Sequence, residues 1–341
     1  MPSYSDLTTT IAAQAKARED ALPVRNDACR SKFLFHSGPT PKVCLFLHGF
    51  TGYPDQFLPL GNALFEQGYN VLIPLLPGHG QAGTWNAAHP APLPTDPTVY
   101  EDFVLQWIQQ AQALGQQVVI GGLSGGGTLS AWVALHHRDL IDRALLFAPY
   151  LSGNTITGKL FIKLSDSYHS WPGNPDLAIG YMGFQVPALR VFLDMGADLL
   201  KQARTTPAAP MFIVSTENDD SVDTNDHKAF FADALQFQPK CWYYCFNRSY
   251  NVPHTMMTVA EGNRYAELLY LMAKAYVESD LTWAEFEEIG FRLTQGKTYP
   301  TIVAELGVSD RAGPDLPAMM TMVDKAAIVA SRNPSMFGDE T

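Results

Sequence analysis

Residues 117–135 read QVVIGGLSGGGTLSAWVAL, and this stretch decides the fold. Its first part is an apolar, β-branched run typical of a buried strand, and residues 128–135 have the composition of a helix. Between them residues 122–126 read G-L-S-G-G, so a serine stands at a tight turn between strand and helix. A side chain at either flanking glycine would collide with the strand or the helix, which explains the glycines. The pattern predicts that Ser124 is a nucleophile.

Two other interpretations of the same glycines are weaker. The first is a loose turn formed by residues 125–127 that carries no chemistry. The second is a phosphate-binding loop, but that loop would require G-K-S/T at its end, and a dinucleotide fingerprint G-x-G-x-x-G would belong after the first strand of the domain. The strand-turn-helix context therefore favours the nucleophile.

Apolar, strand-like runs recur along the chain with helical patterns between them. Residues 57, 60 and 64 share one predicted helical stripe, and Val99, Phe103 and Trp107 share another. Nearly continuous apolar runs are typical of strands buried on both faces of a parallel sheet, and the alternation indicates right-handed crossovers. The sequence predicts an α/β protein with a doubly wound, mostly parallel sheet, whose strands are at 42–47, 70–75, 117–122, 144–149, 211–215 and 241–246.

The first of these strands ends in H-G-F-T-G at 48–52, and P-G-H-G follows the second at 77–80. With the serine turn, these motifs resemble the α/β-hydrolase superfamily, and within it the carboxylesterases and monoacylglycerol lipases. The resemblance covers about residues 33–278 and implies the α/β-hydrolase fold. It also implies that the backbone N–H groups of Phe50 and Gly125 form an oxyanion hole, and that His48 and His79 shape loops rather than transfer protons.

The resemblance places an acid after a late strand and a histidine after the last one, in the chain order Ser, Asp, His. His254 is the only histidine that follows the strand at 241–246. Four acidic residues follow the strand at 211–215, and family members often carry an aspartate three residues before an apolar residue, which matches Asp219 with Val222. Three acids remain as alternatives or as loop and helix-cap carboxylates, namely Glu217, Asp220 and Asp223. The other histidines are predicted at the surface or in cap positions: His36, His89, His136, His137, His169 and His227.

These residues predict a carboxylic ester hydrolase that acts on small to medium apolar acyl groups through a Ser124–His254–Asp219 triad and an acyl-enzyme. An acyltransferase or thioesterase on the same scaffold is the alternative, because an acyl-enzyme does not reveal which nucleophile resolves it. A binding protein without activity is a third possibility that the triad disfavours. No metal or organic cofactor is expected, and the expected partner is a small-molecule ester.

Composition restricts the other partners and the location. The net charge is −11, and no local basic patch stands out, so nucleic acid and anionic membrane surfaces are disfavoured. No run reaches the roughly 18 apolar residues of a membrane helix. Residues 1–21 lack the pattern of a signal peptide, and four cysteines lie mostly in apolar runs, so we expect reduced thiols and a cytoplasmic protein. The oligomeric state does not follow from these features.

The distribution of strand-like and helical patterns divides the chain into three segments. Residues 1–32 form an N-terminal helical extension, residues 33–278 form the hydrolase core, and residues 279–341 form a C-terminal helical appendage with a disordered tail. Residues 152–208 interrupt the core as an inserted helical cap rich in large apolar side chains. Residues 286–309 superficially resemble the first half of a helix-turn-helix, but no basic second helix follows.

Overall fold

A seven-stranded sheet forms the centre of the structure, a computed structural model that describes residues 3–172 and 178–332. The strands in chain order are β1 (Lys32–Leu34), β2 (Lys42–Leu47), β3 (Asn70–Ile73), β4 (Gln117–Leu123), β5 (Arg143–Phe147), β6 (Tyr168–Ser170), β7 (Gly183–Gln185), β8 (Met211–Thr216) and β9 (Trp242–Phe246). The sheet has the order β1-β3-β2-β4-β5-β8-β9. Only β1 runs antiparallel to its neighbour, so the sheet is mostly parallel, as predicted.

Strands β2, β3, β4, β5 and β8 are buried along nearly their whole length. This burial explains their continuous apolar sequences, because both faces of these strands are covered. Leu47 at the end of β2 pairs with Gly122, and Leu123 at the end of β4 pairs with Phe147. The loops that follow these parallel strands therefore meet at one edge of the sheet, where ligands of open α/β sheets bind.

Helices cover the sheet and continue beyond it. Within the described residues, none is long and apolar enough to cross a membrane. Their bounds are α1 (Tyr4–Asp20), α2 (Leu58–Phe65), α3 (Pro97–Leu114), α4 (Gly125–His136), α5 (Ile156–Leu164), α6 (Val186–Gln202), α7 (Thr224–Leu235), α8 (Ala266–Val277), α9 (Trp283–Thr294), α10 (Tyr299–Glu305), α11 (Leu316–Met319) and α12 (Lys325–Arg332).

The buried face of α3 differs from the predicted stripe by about one residue. Asp96 caps the helix by accepting from the N–H of Thr98 at 3.0 Å, and Pro97 occupies the first turn. Tyr100 and Val104 are fully buried, whereas Val99 is 40% exposed. Trp107 of the predicted stripe is buried, but the placement of Val99 was wrong. Helix α3 also contacts α1, so apolar side chains occur on more than one of its faces.

The inserted segment contains α5, a hairpin of β6 and β7, and α6. Residues 173–177 of the predicted cap lie outside the described part of the chain. α6 buries nine residues and packs on α4, whereas none of the residues of α5 is buried. The insertion therefore packs on the core through α6, whereas α5 lies on its solvent-facing side.

The C-terminal part is helical, as predicted. Trp242 of β9 stacks on Phe286 of α9 with ring centroids 4.4 Å apart, and its indole N–H donates to the carbonyl of Leu281 at 3.1 Å. α9 begins with a capping box formed by Thr282 and Glu285. After α10 the next described helix is the four-residue α11, where a helix-turn-helix would place its second helix. The predicted disordered tail at 333–341 lies outside the described residues.

Candidate active site

Ser124 stands at the turn between β4 and α4 with φ 52° and ψ −115°. Positive φ is costly for a residue other than glycine, so the surroundings must impose this conformation. Its N–H donates to the carbonyl of Phe147 at 2.9 Å, and its carbonyl accepts from Thr128 at 2.9 Å. A Cβ on Gly126 would overlap the carbonyl oxygen of Leu47, and one on Gly122 would overlap the backbone of Gly126. The two glycines are thus required by close backbone approach.

Gly126→Ala is expected to lower the free energy of unfolding by about 2 kcal/mol or more, because the added methyl group meets the backbone of β2. Gly38→Ala is the matched control, since a Cβ there has nothing within 4 Å. Its expected effect lies within about 0.5 kcal/mol. Urea denaturation followed by circular dichroism measures both, and equal stabilities would contradict the close approach.

The loop after β2, residues 48–52 and here called the oxyanion loop, is held by two buried histidines. The N–H of Leu76 donates to Nε2 of His48 and that of Thr51 to Nε2 of His79, each at 3.1 Å. Burial holds the pKa of His48 well below its usual range and lowers that of His79 to about 4. Both rings are therefore neutral acceptors that shape the loop, and Thr51 adopts φ 61° there.

Phe50 and Gly125, the residues whose N–H groups are predicted to bind an oxyanion, are neighbours in space. A Cβ on Gly125 would lie 3.3 Å from Cβ of Phe50. Neither N–H donates a hydrogen bond within residues 3–172 and 178–332, so both remain available to a ligand. Neighbouring N–H groups without a protein acceptor can stabilise developing negative charge.

Asp219 and His254 come together from the loops after β8 and β9. Nδ1 of His254 lies 2.8 Å from Oδ2 of Asp219, across a separation of 35 residues. The carboxylate side chain is 0% exposed, and its Oδ1 accepts from the N–H groups of Ser221 at 2.9 Å and Val222 at 3.0 Å. Burial alone would raise the pKa of Asp219, but the charge and hydrogen bond of His254 and the two N–H groups outweigh it and lower the pKa.

The three alternative acids are engaged elsewhere. Asp223 caps α7 by accepting from Asn225, and Asp220 is exposed. Glu217 accepts from the N–H of Arg248 at 2.8 Å. Of the four candidates, Asp219 is the one that the described structure brings to a histidine.

His227 is not at the surface, so that expectation was wrong. Its side chain is fully buried in α7, where Nδ1 lies 2.7 Å from Oγ of Ser215 and Nε2 lies 2.7 Å from the carbonyl of Pro149. Burial lowers its pKa. A neutral histidine that joins the ends of β5 and β8 in this way supports the framework beneath the site.

Aromatic side chains of the insertion cover the oxyanion loop. The ring centroid of Phe50 lies 5.0 Å from that of Phe184 and 5.5 Å from that of Phe192. The indole N–H of Trp171 donates to Oγ1 of Thr51 at 3.0 Å, and the N–H of Tyr181 donates to its carbonyl at 2.9 Å. Apolar rings of the insertion therefore pack on the oxyanion loop, and that of Phe192 lies beside Gly125, the residue after the predicted nucleophile.

The hydroxyl of Ser124 makes no hydrogen bond within the described residues. In ligand-free enzymes the hydrogen bond between a nucleophile and its base is often long and shortens when substrate binds. No group of three or more His, Cys, Asp or Glu side chains in the described chain could hold a metal ion. A serine on a strained turn, a histidine oriented by a buried carboxylate and two unbonded N–H groups are each suited to nucleophilic acyl transfer.

Known proteins share this fold. A family model described as "alpha/beta hydrolase fold" matches residues 42–178. A structure of the metagenome-derived lipolytic enzymes LipS and LipT aligns with a TM-score of 0.59 at 16% identity, covering 74% of this chain and 98% of that one. A soluble variant of monoglyceride lipase from Saccharomyces cerevisiae, bound to a substrate analogue, aligns with a TM-score of 0.55 at 16% identity, covering 75% and 96%. The chain has the α/β-hydrolase fold, as the motifs predicted.

Part of the chain is similar in sequence to a monoacylglycerol lipase. A thermostable monoacylglycerol lipase from Bacillus sp. (strain H-257) is 32% identical over 154 residues, which cover 42% of this chain and 56% of the relative. The chain thus spans little more than half the length of this curated relative.

Proposed function

We propose that the protein is a serine hydrolase that cleaves carboxylic esters of small to medium apolar acyl groups. The observation that carries this proposal is the fully buried carboxylate of Asp219 bonded to His254, at the sheet edge where Ser124 stands on its strained turn. Lipolytic relatives and structural neighbours support ester chemistry, and the relative's name adds monoacylglycerols to the esters that should be tested.

In the proposed reaction His254 removes the proton from Ser124 as its oxygen attacks the ester carbonyl. Asp219 holds the proton on Nδ1 of His254, so that Nε2 acts as the base, and stabilises the imidazolium that forms. The N–H groups of Phe50 and Gly125 stabilise the oxyanion. His254 then protonates the leaving alcohol, and water activated by the same residue hydrolyses the acyl-enzyme.

Hydrolysis of p-nitrophenyl esters with graded acyl chains tests the proposal, with and without a competing alcohol. We expect p-nitrophenol release on short and medium chains, with free acid as the product. Transfer of the acyl group mainly to the alcohol would identify an acyltransferase, and a preference for thioesters would identify a thioesterase. Absence of turnover on every ester would contradict the proposal.

Trp171→Ala and Phe184→Ala are expected to change the ratio of kcat/KM between short and medium acyl esters by roughly tenfold. The reason is that Phe184 packs on Phe50 and Trp171 packs on Phe184, and each lost methylene contact is worth about 1 to 3 kcal/mol of discrimination. Phe161→Ala is the control, because Phe161 lies on α5 of the same insertion and is 46% exposed. Variants that lose thermal stability without changing the ratio would show that the insertion only packs against the core.

We also propose a cytoplasmic location. All four cysteines are free, and burial raises the pKa of Cys29 to about 11 and that of Cys241 to about 12. Protonated thiols that form no disulfide fit a reducing compartment.

A further inference from the structure

A chain of hydrogen bonds joins the oxyanion loop to the loop that carries His254. Gln56 is 4% exposed and occupies its middle. Its Oε1 accepts from the N–H of Gly49 at 3.1 Å, and its Nε2 donates to Oε1 of Glu261 at 2.5 Å. Both ends of the amide are thus used, one on each loop, between residues that are 205 positions apart in the chain.

Glu261 is tied in turn to the segment just after His254. Its Oε2 accepts from the hydroxyl of Thr258 at 3.0 Å, and the backbone N–H of Glu261 donates to Oγ1 of Thr258 at 3.2 Å. Its carbonyl accepts from the hydroxyl of Thr255 at 3.4 Å. The carboxylate therefore has two hydrogen-bond donors in a largely enclosed place, and neither of them is a cation.

We propose that Glu261 is a positioning residue of the reaction. Its ionised carboxylate, held by Gln56 and Thr258, fixes the His254 loop against the oxyanion loop and favours the positive charge that His254 acquires during catalysis. This proposal rests on the proposed function, since Glu261 has this role only if His254 is the base of the reaction.

The titratable groups around Glu261 are His254, Tyr53 and Tyr270. Burial raises the pKa of Glu261 to about 6, although Gln56, Thr258 and the charge of His254 counteract it. Burial also raises the pKa of Tyr53, and it raises that of Tyr270 to about 12, so both phenols stay neutral. Glu261 is therefore the carboxyl group near His254 that gains a proton when the pH falls below about 6.

The experiment is a pH profile of kcat/KM for wild type and Glu261→Gln on a p-nitrophenyl ester. If activity requires an ionised Glu261 as well as an unprotonated His254, the logarithm of kcat/KM falls in wild type with a slope of about 2 on the acid side. Glu261→Gln is expected to reduce this slope to about 1 and to lower the plateau by about tenfold, mainly in kcat. Glu267→Gln removes the same charge from an exposed site on α8 and should behave as wild type.

The melting temperature at pH 7.5 separates positioning from stability. A carboxyl group whose pKa is raised on folding disfavours the folded state once it is ionised, so Glu261→Gln is not expected to melt earlier. Gln56→Met is the second variant, and it breaks the bridge while leaving the carboxylate. Its kcat should fall while the slope stays at about 2.

Either of two results overturns the proposal: an unchanged slope and plateau in Glu261→Gln, or, if that variant does not fold, an unchanged kcat in Gln56→Met. Labelling of wild type with a fluorophosphonate distinguishes these failures from failure of the proposed function. Wild type that neither labels at Ser124 nor cleaves esters would remove the proposed function and this role with it.

Discussion

Replacing Ser124 with alanine is expected to lower kcat for ester hydrolysis by roughly 10⁶-fold, because the group that forms the acyl-enzyme is lost. A residual rate of about 10³- to 10⁴-fold over water is consistent with the mechanism, since the binding surface and the N–H groups of Phe50 and Gly125 are retained. The measurement is p-nitrophenol release, and a serine-directed fluorophosphonate reports the nucleophile directly. We expect labelling of wild type and none of Ser124→Ala.

Ser130→Ala is the matched control. Ser130 is buried in the same helix α4, where its hydroxyl donates to the carbonyl of Gly126 at 2.9 Å, so its loss removes a serine without touching the proposed chemistry. We expect labelling and turnover close to wild type. A folded Ser124→Ala protein that still takes up the fluorophosphonate would show that another residue is the nucleophile.

The parts of the fold and site that could be predicted from the sequence are those governed by local backbone geometry. The clash of a Cβ at Gly122 or Gly126 with the backbone leaves a signature of glycines around Ser124, and that signature is readable in a single sequence. Six strands of the central sheet were equally readable, because strands covered on both faces carry few polar residues, whereas the short strands β1, β6 and β7 were not predicted. The Asp219 to Val222 spacing corresponds to the two N–H groups that bind Oδ1.

What the sequence did not reveal depends on contacts between distant segments. His227 lies three residues before Phe230 on one face of α7, and that spacing could have indicated its burial, but its partners Ser215 and Pro149 are set by the sheet order. The bridge from Gly49 through Gln56 to Glu261 has no local pattern at all. It exists because parallel strands bring their carboxyl ends to one edge.

Asp219→Asn is expected to lower kcat by roughly 10⁴-fold while the protein stays folded. The hydrogen bonds explain why. Oδ1 accepts from Ser221 and Val222, so an asparagine keeps its oxygen there and turns its NH₂ group toward Nδ1 of His254. Nδ1 must then accept, and the ring proton moves to Nε2. A histidine protonated at Nε2 cannot take the proton of Ser124. His254 of the variant therefore cannot act as the base, whereas substrate binding is retained.

Asp220→Asn and Asp223→Asn are the matched controls from the same loop. Asp220 is exposed, and Asp223 caps α7, so neither change alters the tautomer of His254. We expect kcat/KM within about threefold of wild type for both, since Asp220 faces solvent and an asparagine at position 223 still accepts from the N–H of Asn225. Comparable losses in all three variants would refute the assignment of Asp219. A larger loss in Asp220→Asn would move the acid by one residue, and the hydrogen bond at 2.8 Å would then be structural.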